Sequence, residues 1–407
     1  MNIFIFAADS KGSSSLNGIV QEVAQNKKVN YFALLSKSTT LQHPAIRPDF
    51  YNMYTNVDLD KVKDGALSTV LNVTLPFTPD WLIVQRERWA PEQQLIQEMK
   101  QVYNCKVAVV EANAQTWNNL EVLLETKSKN RMTPLIDVFF DHSSWIANRR
   151  KEVGFDGKVE VVGNPKYDLN LNPPDTYIQA VKKHYKVDDS KKKVLLFTLV
   201  NASRKQLFEV YDKIIEANPD CQFFIKPYPG EPTDNQFTKD YAYATQRFPN
   251  ATAILEDSHI WAMFNICDVH VGALSSIFHA SLLLEKTVYD VSSMIGMRTK
   301  GLNRDLILNG KGEGVEDKAD LWMRTFEFTN ISQLEEVLDE EKIKTMQENN
   351  ESVWKKADKL LSLGNDLKLN IRKKINYTPL LPFFDDFCDK QASKRIVKYI
   401  LNDELQK

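Results

Sequence analysis

Short, uninterrupted apolar runs alternating with amphipathic stretches constrain this chain more than any other feature. In the first half the runs lie at residues 3–6, 31–35, 81–84, 107–110 and 138–140, with a further strand expected at 159–162 and helical patterns at 16–25, 91–102 and 116–124. A short run of apolar residues without alternation is the mark of a strand covered on both faces. Strands of that kind, separated by helices, predict a parallel sheet with helices on each side. The segment 164–175 interrupts the pattern with Pro165, Pro173 and Pro174 set among asparagines and aspartates, a composition that favours turns. The alternation then restarts, with strands expected at 194–200, 223–225, 253–255, 269–271 and 288–291 and helices at 205–217 and 259–265. The end of the chain reads as helical at 331–346, 352–363 and 389–401.

Length agrees with this division. A chain of 407 residues exceeds one compact core and suits two domains of about 150–200 residues. The expected plan is α/β, with a first domain over 1–165, a second over 176–385 and a last helix within 386–407. A formal net charge of −2 supplies no global field toward nucleic acid or membrane. Cys105, Cys221, Cys267 and Cys388 are widely separated and read as buried free thiols of a reducing compartment. The opening NIFIFAAD reads as a strand rather than a signal peptide, and no apolar run approaches the ~20 residues that span a bilayer. A cytoplasmic protein is the expectation, visiting a membrane only peripherally. One basic run, Arg372 to Lys374 with Lys368 before it, is a candidate contact for anionic headgroups or a solvated helix end.

Polar residues stand at the ends of the expected strands, where open parallel sheets bind ligands. Asp9 follows the first strand and lies near Gly12, a residue that lets the backbone approach another group closely. Glu111 follows the strand at 107–110. Asp9 and Glu111 are the candidate bases, and His142 is a weaker third. Residues 85–89, Gln-Arg-Glu-Arg-Trp, either hold an anionic or sugar acceptor or form a solvated, self-paired charge run. In the second half, Ser275 and Ser276 sit where a helix is expected to begin, an arrangement suited to phosphate. Arg204 and Lys226 supply cations near it. No His/Cys cluster has ligand spacing, so neither metal nor cofactor is called for.

Four motifs stand in order: VEVVGNPKYD from Val159, VNASRKQ from Val200, FFIKPYPGE from Phe223, and DVHVGALSSIFHASLLLEKTVYDV from Asp268. Their order resembles the GT-B nucleotide-sugar glycosyltransferases, and most of all the branch with capsule-polysaccharide and CDP-glycerol polyol-phosphate transferases. The resemblance is strongest over residues 137–291. It implies two doubly wound Rossmann-like domains facing a cleft, with the donor in the second domain and a last helix crossing back to the first. Carried over by position, Ser275 and Ser276 bind donor phosphate and Lys226 faces the diphosphate. Tyr228 stands where relatives carry histidine. Ala280, preceded by His279, stands where they carry a ribose-binding glutamate. The implied activity is glycosyl transfer from a nucleoside-diphosphate sugar to a hydroxyl acceptor, a glycan or polyol before a modified base in DNA. A UDP-sugar epimerase of the same fold and a non-catalytic nucleotide- or glycan-binding protein are the competing readings.

Overall fold

The structure is a computed structural model describing residues 1–36, 51–62, 65–87, 90–110, 133–152, 157–197, 204–227, 243, 248–256, 259–272, 278–284, 286–290 and 385–404. It divides into two units. The first joins Met1–Leu169 to Pro382–Lys407, and the second is Asn170–Leu381.

The first unit is built on a seven-stranded sheet. Its strands are β1 (Asn2–Ala7), β2 (Asn30–Ser36), β3 (Tyr51–Thr55), β6 (Trp81–Val84), β7 (Lys106–Val110), β8 (Val138–Asp141) and β9 (Val159–Val161), in the order β3-β2-β1-β6-β7-β8-β9. Every pairing is parallel except β2 with β3. A small antiparallel pair, β4 (Ala66–Ser68) and β5 (Val73–Leu75), stands apart from it. Successive residues of a strand face opposite core layers. Phe4 and Phe6 join Phe32, Leu82, Val84, Leu95 and Met99 in one core layer. Ile3, Ile5 and Ala7 face the other layer, with Leu16, Ile19, Val20 and Val23 of helix α1 (Ser10–Ala24). Helix α2 (Ala90–Tyr103) follows β6, and helix α3 (Ser144–Glu152) follows β8.

The helix expected to begin at residue 16 begins at Ser10. Gly12 and the serines there are weak helix formers. The Asp9 carboxylate accepts the Gly12 N–H at 2.6 Å, and the apolar stripe from Leu16 onward is buried. Capping and burial together outweigh local propensity.

The motif Gly163-Asn164-Pro165-x-x-Asp168 is a clasp for the end of the chain. After the short helix α4 (Lys166–Asn170), the second unit intervenes before helix α9 (Ala392–Glu404). Asp168 accepts the N–H groups of Ala392 and Ser393 at 3.2 and 2.5 Å, satisfying donors that the α9 N-terminus leaves free. Asp385 accepts the Asn164 N–H at 2.9 Å. Gly163 has φ +88, and a Cβ on it would lie 2.9 Å from Asp385 Oδ1, so glycine meets both the backbone and the packing requirement there. Ile396, Val397 and Ile400 of α9 then enter the core layer of α1.

The second unit holds helix α5 (Asp175–His184) and five parallel strands: β10 (Lys193–Phe197), β11 (Gln222–Lys226), β12 (Ala251–Ala253), β13 (Val269–Gly272) and β14 (Thr287–Asp290). Their order is β12-β11-β10-β13-β14. Helix α6 (Arg204–Ala217) follows β10, α7 (His259–Ile266) follows β12, and α8 (Phe278–Leu283) follows β13. Val194, Leu196, Phe223, Ile225, Val269 and Val271 pack with Leu207, Tyr211 and Ile214 of α6. His270, between two apolar residues of β13, is fully buried, and its Nδ1 lies 2.7 Å from Ser281 Oγ. Burial holds this imidazole well below its usual pKa, in the neutral form. No helix among the described residues is long and apolar enough to cross a membrane. The helices expected at 116–124, 331–346 and 352–363, and the basic run at 372–374, lie outside the described residues.

Candidate functional site

Strand order fixes where a ligand site can form. In each sheet the chain builds outward from one strand and then returns to that strand's other side. The return lies between β1 and β6 in the first sheet and between β10 and β13 in the second. In open α/β sheets the crevice beyond the carboxyl ends of two such strands is the usual binding position.

Beyond β1 and β6 lies a buried polar cluster of Asp9, Gln85, Arg86 and Glu92, none more than 2% exposed. The parallel register pairs Phe6 with Val84, so the turns after the two strands meet side by side. Asp9 caps α1 through Oδ1, and Arg86 Nη2 stands 2.9 Å from Asp9 Oδ2. The second contact is a pairing of charges rather than a directed hydrogen bond, since Oδ2 accepts none among the described residues. A Cβ on Gly12 would lie 3.1 Å from Gln85 Oε1 and 3.2 Å from Asp9 Oδ1. The close approach expected at Gly12 is thus to this cluster. Gln85 Oε1 and Glu92 Oε2 are buried acceptors without a hydrogen-bond partner among the described residues. Glu87 is also buried. Burial of Gln85, Arg86 and Glu87 overturns the alternative of a solvated, self-paired charge run, because the guanidinium pairs with Asp9 instead.

Glu92 escaped the sequence reading. Position 92 in the first turn of α2 reads as an ordinary helix-start acid, and only the fold buries it. Burial pushes its carboxyl from 4.5 up to about 8, against the opposing pull of Arg86 and of backbone groups at Glu92 and Ala8; Asp9 pushes in the same direction as burial. The folded protein therefore holds this proton more tightly than the unfolded chain. The contribution of Glu92 to stability is complete below about pH 4.5 and is lost as pH rises to about 8, at about 1.4 kcal/mol per unit and about 4–5 kcal/mol in all. Glu92→Gln removes the titration. Its urea midpoint, compared with wild type, is expected to improve steadily from about pH 5 to about pH 8.5. A difference constant across that range would show that Glu92 does not titrate there.

The neighbouring strand ends differ. At the end of β8, Asp141 and Arg150 form a buried bidentate pair at 2.5 and 2.8 Å, and Arg150 lies over the Phe139 ring. His142 is buried and its carbonyl accepts the Asp386 N–H at 3.2 Å, a structural setting. Glu111, directly after β7, lies outside the described residues.

In the second unit, β10 leads toward Arg204, the first residue of α6, and β13 leads toward Ser275 and Ser276. Lys226 ends β11, beside β10. It is 7% exposed, and its Nζ donates to the Pro227 carbonyl at 3.0 Å. The side chains of Arg204 and His279, and all of Tyr228, Ser275 and Ser276, lie outside the described residues, although His279 belongs to α8. Ala280, next to it, is buried.

No family model matches the chain, and no curated protein matches it. Solved structures do. The UDP-GlcNAc 2-epimerase from Neisseria meningitidis bound to UDP-GlcNAc aligns with a TM-score of 0.55 at 13% identity, over 99% of this chain and 100% of that one. The UDP-GlcNAc 2-epimerase from Methanocaldococcus jannaschii also gives 0.55, at 12% identity over 99% and 100%. A variant of the wall teichoic acid polymerase TagF gives 0.52 at 13% identity, over 100% of this chain and 90% of that one. At such identities the likeness is one of fold, and the order of strands in both units agrees with it: this chain has the GT-B fold, two Rossmann-like units in one polypeptide.

Proposed function

We propose that this chain is a nucleotide-sugar-dependent glycosyltransferase, with the donor held by the second unit and the hydroxyl acceptor and base supplied by the first. The observation that carries this reading is topological: β10 and β13 flank the strand-order reversal of the second sheet, Arg204 and the pair Ser275 and Ser276 follow them in sequence, and Lys226 ends the adjoining strand. A departing nucleoside diphosphate gathers negative charge, and cations with hydroxyl donors stabilise it. Arg204 and Lys226 are the cations, and Ser275 and Ser276 the donors. Tyr228 and His279 are the remaining donor contacts in this reading. An inverting transfer also requires a base for the acceptor hydroxyl. Asp9 can serve only after release from Gly12 and Arg86, which favours Glu111. The acceptor is a surface glycan or a polyol in preference to DNA, since a net charge of −2 is weak support for a phosphate-rich partner. The reaction needs no metal or cofactor beyond the activated sugar.

A second reading, a UDP-sugar epimerase, is favoured by the alignment over the whole of both epimerase chains. One experiment separates the two. UDP-, CDP- and GDP-sugars and CDP-glycerol are incubated with and without glycan, polyol or hydroxymethylated DNA. Nucleotide release and the sugar's NMR spectrum are followed together. Transfer predicts release from one donor that rises with one acceptor and falls about 100-fold in Lys226→Met. Inversion of the sugar without acceptor establishes the epimerase. Nucleotide binding without turnover of any donor rejects both in favour of a binding protein.

A further inference from the structure

Three side chains far apart in sequence converge on one corner of the second unit. His184 is the last residue of α5, Glu256 follows β12 by three residues, and His259 opens α7. One potential ligand atom from each lies within 4.8 Å of the others. His259 Nε2 is 3.2 Å from Glu256 Oε2, and the His184 and His259 rings meet edge to face at 5.3 Å. We propose that His184, Glu256 and His259 bind a divalent transition-metal cation of the zinc class.

Four features support the choice. Two imidazoles and one carboxylate suit Zn²⁺, Co²⁺ or Ni²⁺, whereas Mg²⁺ and Ca²⁺ prefer oxygen alone. Three protein ligands leave a position for water, the pattern of an open zinc site. The other nitrogen of His259 is already supported: Nδ1 lies 3.1 Å from Tyr185 Oη. A cation on Nε2 leaves Nδ1 protonated, and the phenol oxygen accepts that proton's hydrogen bond, a second layer typical of metal-bound histidine. Finally, His184 stands at the C-terminus of a ten-residue helix, where backbone carbonyls favour positive charge. The nearby Lys182 ammonium is held by Asp189 at 2.7 Å. The bound ion ties the end of α5 to the start of α7, beside the carboxyl end of β12. None of the three is among the donor residues proposed above, and the test does not depend on activity.

Tag-free protein is titrated with ZnCl₂ by calorimetry and with CoCl₂ by visible absorption. One Zn²⁺ per chain in the micromolar range is expected, with an intense Co²⁺ d–d band and a melting midpoint that rises by a few degrees. His184→Ala replaces an exposed residue and should fold normally. It is expected to weaken Zn²⁺ binding by about 10-fold or more and to abolish the rise in midpoint, while Tyr185→Phe weakens binding by about 10-fold. Absence of saturable Zn²⁺ uptake by the wild type, or uptake with unchanged affinity in His184→Ala, overturns the proposal.

Discussion

Removal of residues 385–407 is expected to leave the first unit without a cooperative fold, even though the deleted segment follows the entire second unit in the chain. Ile396, Val397 and Ile400 are buried against the layer formed by α1 and the first sheet. Burial of each contributes about 1.5–3 kcal/mol, or about 5–9 kcal/mol together. That approaches the whole stability of a typical domain, about 5–15 kcal/mol. The segment also supplies polar partners. Asp385 and Asp386 accept the N–H groups of Asn164 and Ser144, and Arg395 donates to the Val162 carbonyl at 2.9 Å. Hydrogen exchange resolved by peptide is the suitable measurement, because it reads each unit separately. Peptides covering β1 and β8 should lose protection while those covering β10 and β11 keep it. Native protection of β1 in the shortened chain would falsify this role for α9.

The second large effect is expected at Arg86. Its side chain and that of Asp9 are 3% and 2% exposed, so Arg86→Met leaves a carboxylate buried without its cation. Breaking a buried pair from one side costs about 3–5 kcal/mol. Arg86 also draws the Glu92 carboxyl downward, so its loss makes ionisation of Glu92 costlier and the defect larger in alkaline solution. The double variant Asp9→Asn/Arg86→Met removes both charges together. It should lose less than the sum of the single variants, the coupling expected of groups in direct contact. Urea denaturation of the four proteins measures that coupling. A loss of under about 1 kcal/mol in Arg86→Met would mean that Asp9 is hydrated in the folded protein and that the pair is a surface one in energetic terms.

The parts of this fold that were legible in the chain share a cause. A strand covered on both faces must be apolar at every position, so β1, β2, β6, β7, β10 and β11 announce themselves locally. Elements with an exposed face do not. In β3, Met53 and Tyr54 are exposed, and in β4 Leu67 is, so their apolar content carries no clear period. Helix α3, SWIANRRKE, has too few apolar residues to display a stripe, yet it carries Arg150 to Asp141. The start of α1 was obscured because its glycine and serines favour loops, while the cap that begins it depends on the placement of one aspartate.

Candidate residues divide along the same line. The residue types at strand ends could be read directly, because a parallel sheet with crossover helices puts every such end on one edge. The strand-end positions of Asp9 and Lys226 follow from that rule. Their partners could not be read. Asp9 meets Arg86 because β6 returns beside β1, and Glu92 is buried because α2 follows that return. His184 meets Glu256 and His259 because α5 packs against α7, which follows β12. Hydrophobic pattern is a local record of being covered and so survives in the one-dimensional chain. Which charge finds which partner depends on strand order and helix packing across long separations, and those contacts exist only in the folded molecule.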